Sequence, residues 1–195
     1  MKITDENLMK LAIDSLKGNW VLAILTFLIY ELLIGGIQQT SENYSVLSLV
    51  FLVISGPITL GVSIFSLNLS RNLEPQFENL LEGFNNFKTS LFAYLLISLF
   101  VILWLLLLII PGIIAVLSYS MTFYIIADDN SINATGAIDK SKKMMEGHKI
   151  ELFILGLKFF GLSLLCLLTL GIGFLWLIPF ANVTLAKFYD AIKLY

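Results

Sequence analysis

The chain has 195 residues, 58% of them hydrophobic and 13% charged, with a formal net charge of −2. At a mean hydropathy of +0.90, so few charges cannot cover so much apolar surface in water, which excludes an ordinary soluble domain. The charge balance also excludes nucleic-acid binding through a basic arm or stripe. A single cysteine, Cys166, and a single histidine, His148, exclude an intramolecular disulfide and a multi-histidine metal centre.

Residues 1–18 mix Asp5, Glu6 and Asp14 with Lys2, Lys10 and Lys17. A cleaved leader has a short, purely positive start, so the first apolar run is expected to be retained. Before it, Asn7, Lys10, Asp14 and Lys17 recur at helical spacing opposite Leu8, Leu11, Ala12 and Leu16, which predicts an amphipathic helix. Trp20–Ile37 is the first predicted span. A loop at 38–45 leads to the second, Val46–Ser70, interrupted by Ser55-Gly56-Pro57. Along this span Ser55, Thr59, Ser63, Ser66 and Ser70 share one helical face. Small hydroxyl residues let membrane helices approach closely, so the stripe reads as a packing seam, with the lining of a polar cavity as the alternative.

Phe77, Leu80, Leu81 and Phe84 against Glu78, Glu82 and Asn85 predict a second amphipathic helix. The stretch Ser90–Ala127 would form one helix of about 57 Å, too long for a ~30 Å hydrocarbon core. Pro111-Gly112 near its middle predicts a hairpin with arms Ser90–Ile110 and Ile113–Ala127. Asp129-Asn130-Ser131 reads as a turn or helix cap rather than part of a metal or general-base set with Asp128 and His148. Ala134, Ala137, Ile138, Met144 and Met145 opposite Asp139, Lys142, Lys143 and Glu146 predict a third amphipathic helix. Ile150–Ala191 breaks at Gly171-Ile172-Gly173 and kinks at Pro179, giving the last two spans.

The expected fold is therefore an all-α polytopic membrane bundle. It has six transmembrane helices in three hairpins, each preceded by an amphipathic helix that either lies in the membrane interface or caps the bundle. Lys2, Lys10, Lys17, Arg71, Lys88, Lys140, Lys142, Lys143, Lys149, Lys187 and Lys193 all fall on one side of these spans, and the loops at 38–45, 111–112 and 171–173 carry no Lys or Arg. Positive residues stay inside, so both termini are expected in the cytoplasm, with the protein in the cytoplasmic membrane. Leu80-Leu81-Glu82-Gly83-Phe84 aligns with Met144-Met145-Glu146-Gly147-His148, and Leu16-Lys17-Gly18 is a shorter echo. One integral domain, 1–195, is thus expected to contain three parallel repeats, 1–72, 73–130 and 131–195.

Pro111-Gly112-Ile113-Ile114, Ser118-Tyr119-Ser120-Met121, Ala127-Asp128, Ser141–Lys149, Gly171-Ile172-Gly173 and Phe188-Tyr189-Asp190 together resemble the signature of domain-of-unknown-function family 975, bacterial integral membrane proteins. The resemblance covers most of the chain, is densest over about 100–190, and implies membrane integration without an activity. It also implies an apolar residue at position 158, where this chain has Lys158.

Lys158 lies about 13 Å along its helix from Lys149, near mid-bilayer, where a lysine needs a partner or water. Glu31 is the other charge within an apolar run, so a Glu31–Lys158 pair is expected, against snorkelling of each to its nearer surface. The intramembrane polar candidates are Glu31, Lys158, Thr59, Ser63, Ser66 and Asn182, with Thr184 beside the last. Lys140, Lys142, Lys143 and Lys149 form the locally basic stretch, suited to anionic headgroups or to enforcing topology. No P-loop, nucleophile elbow or zinc-protease motif occurs, so no enzyme, catalytic residue, metal or cofactor is expected. The partners expected are membrane lipids and a membrane-protein partner or second copy. The leading function is a non-enzymatic lipid- or partner-binding membrane organiser. A small permease or export component, with a path past Lys158, Glu31 and the hydroxyl stripe, is the alternative.

Overall fold

The computed structural model describes residues 4–41 and 45–193, with side chains over 4–32 and 50–193. Among them the protein is all α-helical, with no strand. The elements are α1 (Asp5–Leu16), α2 (Trp20–Ser41), α3 (Ser45–Ser70), α4 (Asn79–Glu82) running into a 3-10 turn at Gly83–Asn86, α5 (Phe87–Leu107), α6 (Ile109–Tyr119), α7 (Thr122–Asp128), α8 (Ala134–Met144), α9 (Lys149–Leu168) and α10 (Phe174–Lys193). Lys2 lies outside the described residues. Because α2 continues to Ser41, the loop expected at 38–45 shrinks to residues 42–44, also outside them.

Among the described residues four helices are long and apolar enough to cross a membrane, and a fifth span arises if α1 and the first part of α2, bent by 99°, count as one. Of the six expected spans, α10 falls short of that hydropathy, since Pro179, Asn182, Lys187, Asp190 and Lys193 dilute its apolar residues. Its apolar side is instead well buried in the bundle: Val183, Ala186, Phe188 and Tyr189 are all inaccessible to solvent.

Helices that come second in each hairpin form the core. The apolar windows of α3 and α6–α7 are 56% and 50% buried, against 11% and 17% for α5 and α9. The core packs Leu60, Leu67, Met121, Ile125, Leu155, Phe188 and Tyr189 into one cluster and Phe27, Phe65, Leu69 and Val183 into a second. The contacts follow a cyclic order. α5 lies on α3, α9 on α6, and α2 on α10, so each first helix touches the second helix of another hairpin as well as its own. The short helices obey the same order, α4 resting on α3, α8 on α7 and α1 on α10.

Two hairpin features depart from the sequence expectation. The turn between α5 and α6 lies at Leu108, which is extended (φ −162°, ψ 145°), and not at Pro111-Gly112. Pro111 instead occupies the first turn of α6, where backbone N–H groups have no partner within the helix and a proline loses nothing. Gly112 packs on Leu105, close enough that a Cβ would lie 2.3 Å from its Cδ2. The arm is also broken again, at Ser120-Met121. The Met121 N–H donates to Ser141 Oγ at 3.2 Å, and that hydroxyl donates to the Ser118 carbonyl at 2.8 Å. Ser141 of α8 thus satisfies both sides of a buried break that would otherwise strand backbone polar groups.

The amphipathic stretches are positioned by glycine. Gly18 and Gly147 adopt left-handed φ of 85° and 86° and turn α1 into α2 and α8 into α9. In α1, Leu8, Ala12 and Leu16 are buried while Lys10, Asp14 and Lys17 are exposed; in α8, Ala134, Ala137 and Ile138 are buried. The second stretch differs from its expected single helix. Leu81 and Phe84, expected on its apolar face, are exposed, while Leu80 and Gly83 press on α3 and half-buried Phe77 packs against the cluster of Val62, Phe65 and Leu69. The cause is close backbone approach. A Cβ on Gly61 would lie 2.1 Å from the Leu80 carbonyl oxygen, and one on Gly83 would lie 1.9 Å from that of Pro57. This contact holds residues 79–86 as one α turn and one 3-10 turn along α3.

Candidate functional site

The densest polar constellation joins the ends of α3, α7 and α10, one from each hairpin. Arg71 follows α3 directly. Its Nη1 and Nη2 donate to the two carboxylate oxygens of Asp128 at 2.6 and 3.1 Å. Its Nε and Nη2 donate to Oδ1 of Asp190 at 3.1 and 2.6 Å. Tyr189 Oη (2.9 Å) and Lys193 Nζ (2.6 Å) also donate to Asp128. The planar guanidinium suits this arrangement, since one side chain serves two carboxylates in a fixed fork. Arg71, Asp128 and Asp190 side chains are 30%, 13% and 28% exposed, so water screens the node only in part. The hydrogen bonds Arg71 donates to Asp128 first, and to Asp190 next, raise its pKa above the ordinary value against the opposing effect of burial.

The carbonyl of Ser70, at the end of α3, accepts from Ser15 of α1 at 3.1 Å and from Lys187 Nζ of α10. A cation at a helix C-terminus is favoured by the helix dipole. This node contains no unoccupied nucleophile beside a base. Its chemistry is that of a clamp between three hairpins. Reading the sequence for function missed it, although Arg71, Asp128 and Asp190 each stand at the junction where an apolar run ends.

The residues singled out from the sequence lie elsewhere. Lys158 pairs with Asp5 at 3.0 Å and not with Glu31. The reason is geometric: α1 folds back from α2, which carries its first turn to α9, whereas Glu31 lines a separate apolar cleft of about 250 Å³ with Phe27, Phe174 and Ile178. Reversing Asp5 or Lys158 alone is expected to lower the melting temperature in detergent, and Asp5→Lys with Lys158→Glu to restore it. Rescue by Glu31→Lys with Lys158→Glu would instead restore the original pairing.

The hydroxyl stripe turns inward on its own helix. Ser55, Thr59, Ser63 and Ser66 each donate to the carbonyl four residues earlier, at 2.6 to 3.0 Å. Ser63 and Ser66 are buried. Asn182 Nδ2 likewise donates to the Ile178 carbonyl at 2.9 Å, and Thr184 to that of Phe180 at 2.7 Å. Asp129 accepts from the backbone and hydroxyl of Ser131, which lower its pKa, while Asn133 caps α8 through Gly136 N–H at 2.7 Å. His148 Nδ1 lies 2.8 Å from Glu151, whereas Asp128 is bonded within the Arg71 node.

Of the four basic-stretch lysines, Lys140 and Lys143 are exposed. Lys142 and Lys149 line a cleft with Glu146, Tyr119 and Trp104.

The arrangement of these helices can be compared with known proteins. The family model described as "Protein of unknown function (DUF975)" matches residues 1–118 and 101–194, nearly the whole chain. The chain belongs to the DUF975 family. No curated protein and no solved structure matches it. Four of the motifs that carry the DUF975 resemblance now have physical roles. Ser118–Met121 and Ser141 form the sealed break in the second hairpin, and Asp128 and Asp190 form the two acidic arms of the Arg71 clamp.

Proposed function

We propose that this DUF975 protein is an integral protein of the cytoplasmic membrane, with six spans in three hairpins and both termini cytoplasmic. In this reading it is a non-enzymatic organiser that binds lipid or a membrane partner. α10 is the sixth span, tolerated despite its polar residues because its buried side faces protein and its charges gather at the Arg71 end. The three amphipathic segments sit on the cytoplasmic side as parts of three parallel repeats, a reading supported by the cyclic order of contacts.

The observation that carries the choice of organiser over permease is the closure of the α3 hydroxyls on their own backbone. A polar path needs groups free to exchange with water, and Ser63 and Ser66 are buried with their donors already used. By contrast, α5 and α9 present Phe92, Leu99, Leu103, Phe153, Leu157 and Phe160 uncovered, the kind of surface lipid or a partner helix would cover.

The test is cysteine accessibility in sealed membranes. In a Cys166→Ala background, Ser63→Cys and Ser66→Cys should resist a membrane-impermeant maleimide from both sides. Ser131→Cys, beside exposed Asn130, should react from the cytoplasmic side alone. Labelling at 63 or 66 would put the permease first, and labelling of 131 from outside would invert the topology.

A further inference from the structure

A cleft of about 350 Å³ opens between α6, α8 and α9 and joins two kinds of surface. Its charged lining comes from one segment, Lys142, Glu146 and Lys149. Its apolar lining comes from α5 and α6, where Trp104 and Ile114 are exposed. Lys142 is held over the Tyr119 ring, its ammonium 5.5 Å from the centroid, and 5.9 Å from that of Phe100. This cation–π seat fixes the ammonium at the cleft wall. Its contact with Asp139 is long, 3.4 Å, and solvent-exposed, so it competes weakly for a ligand. Lys149 has no ion pair among the described residues. It stands in the first turn of α9, the positive end of a helix dipole, where a lysine is unfavourable unless an anion is supplied.

Two ammonium groups against one carboxylate leave the lining one positive charge in excess. An occupant that satisfies all of it carries one net negative charge, a hydroxyl donor for Glu146 and an apolar chain for Trp104 and Ile114. The volume, at the low end for ligand sites, holds a headgroup and an upper chain segment and not a whole lipid. Resting on membrane integration alone, and not on the side or full crossing of the second hairpin, whose turn at Leu108 follows Trp104 by four residues, we propose that this cleft is a headgroup site for an anionic glycerophospholipid. The phosphate lies between Lys142 and Lys149, the headgroup glycerol donates to Glu146, and the acyl chain runs over Trp104. A free phosphate would leave the apolar wall without a partner.

The full chain with Trp20→Phe and Trp176→Phe keeps Trp104 as its one tryptophan. In phosphatidylcholine vesicles, Trp104 should be quenched by dibrominated phosphatidylglycerol at about one-fifth the mole fraction needed for dibrominated phosphatidylcholine, the preference one lysine supplies at a membrane surface. Lys142→Gln with Lys149→Gln should abolish the preference while quenching by the choline lipid persists. Lys140→Gln with Lys143→Gln, the same charge change outside the cleft, should leave the preference intact. Equal quenching by both lipids, equal loss in both lysine pairs, an equal preference for dibrominated phosphatidylethanolamine, or relief of quenching by glycerol phosphate would each overturn the site. Quenching by no bromolipid would overturn the membrane reading itself.

Discussion

Arg71→Leu is expected to destabilise the protein by about 3 kcal/mol, the range found when one partner is removed from a largely buried ion pair. The loss arises because Asp128 and Asp190 stay behind, part-buried and close together, without the guanidinium that serves both. Asp128 keeps Tyr189 and Lys193, but Asp190 retains a 3.3 Å contact from the Ser70 hydroxyl and the neighbouring charge of Lys187, with no ion pair among the described residues. Thermal unfolding in mild detergent, followed by tryptophan fluorescence, measures the effect. Arg71→Lys should recover only part of it, since an ammonium cannot present the same two-sided fork. Arg71→Leu combined with Asp128→Asn and Asp190→Asn should be more stable than Arg71→Leu alone, because the stranded charges are then gone. An unchanged melting temperature in Arg71→Leu would show that the clamp does not hold the hairpins together.

The second large effect belongs to glycines that admit no side chain. Gly61→Ala and Gly83→Ala each place a methyl within about 2 Å of a backbone carbonyl oxygen, those of Leu80 and Pro57. A main-chain neighbour cannot rotate away as a side chain does, so each substitution should cost about 3 kcal/mol, the upper part of the overpacking range. Exposure of residues 79–86 to limited proteolysis should rise in parallel. Gly156 and Gly161 of α9 supply the contrast. A Cβ there meets nothing within 4 Å, and Ala should be neutral or stabilising by up to about 1 kcal/mol through helix propensity. If all four alanine variants melted alike, the close packing of α4 on α3 would be wrong.

The long helices were legible because apolar runs of that length have few other solutions. Their breaks were less so. Proline signals the end of one helix and the first turn of the next with equal force, and only the extended backbone at Leu108 decides between them for Pro111. The second amphipathic stretch misled because its periodicity was real, yet Gly61 and Gly83 draw it too close to α3 for a regular helix. Neighbour relations were the least visible. Asp5 and Lys158 lie far apart in sequence, and periodicity within each helix does not say which helix lies beside it. The charges of the Arg71 clamp stood at span ends, where the topology rule already accounted for Arg71. Their second role depends on partners 57 and 119 residues away.

That separation orders events during synthesis. As the chain leaves the ribosome, Arg71 gains Asp128 when the second hairpin arrives and must wait for the third to gain Asp190. α1, made first, finds its bed on α10 only at the end, when Lys187 and Ser15 meet on the Ser70 carbonyl. A nascent chain halted after the second hairpin would hold α1 against α3 alone, through Ser15 and the Ser70 carbonyl, and would leave the face of α3 that meets α10 bare.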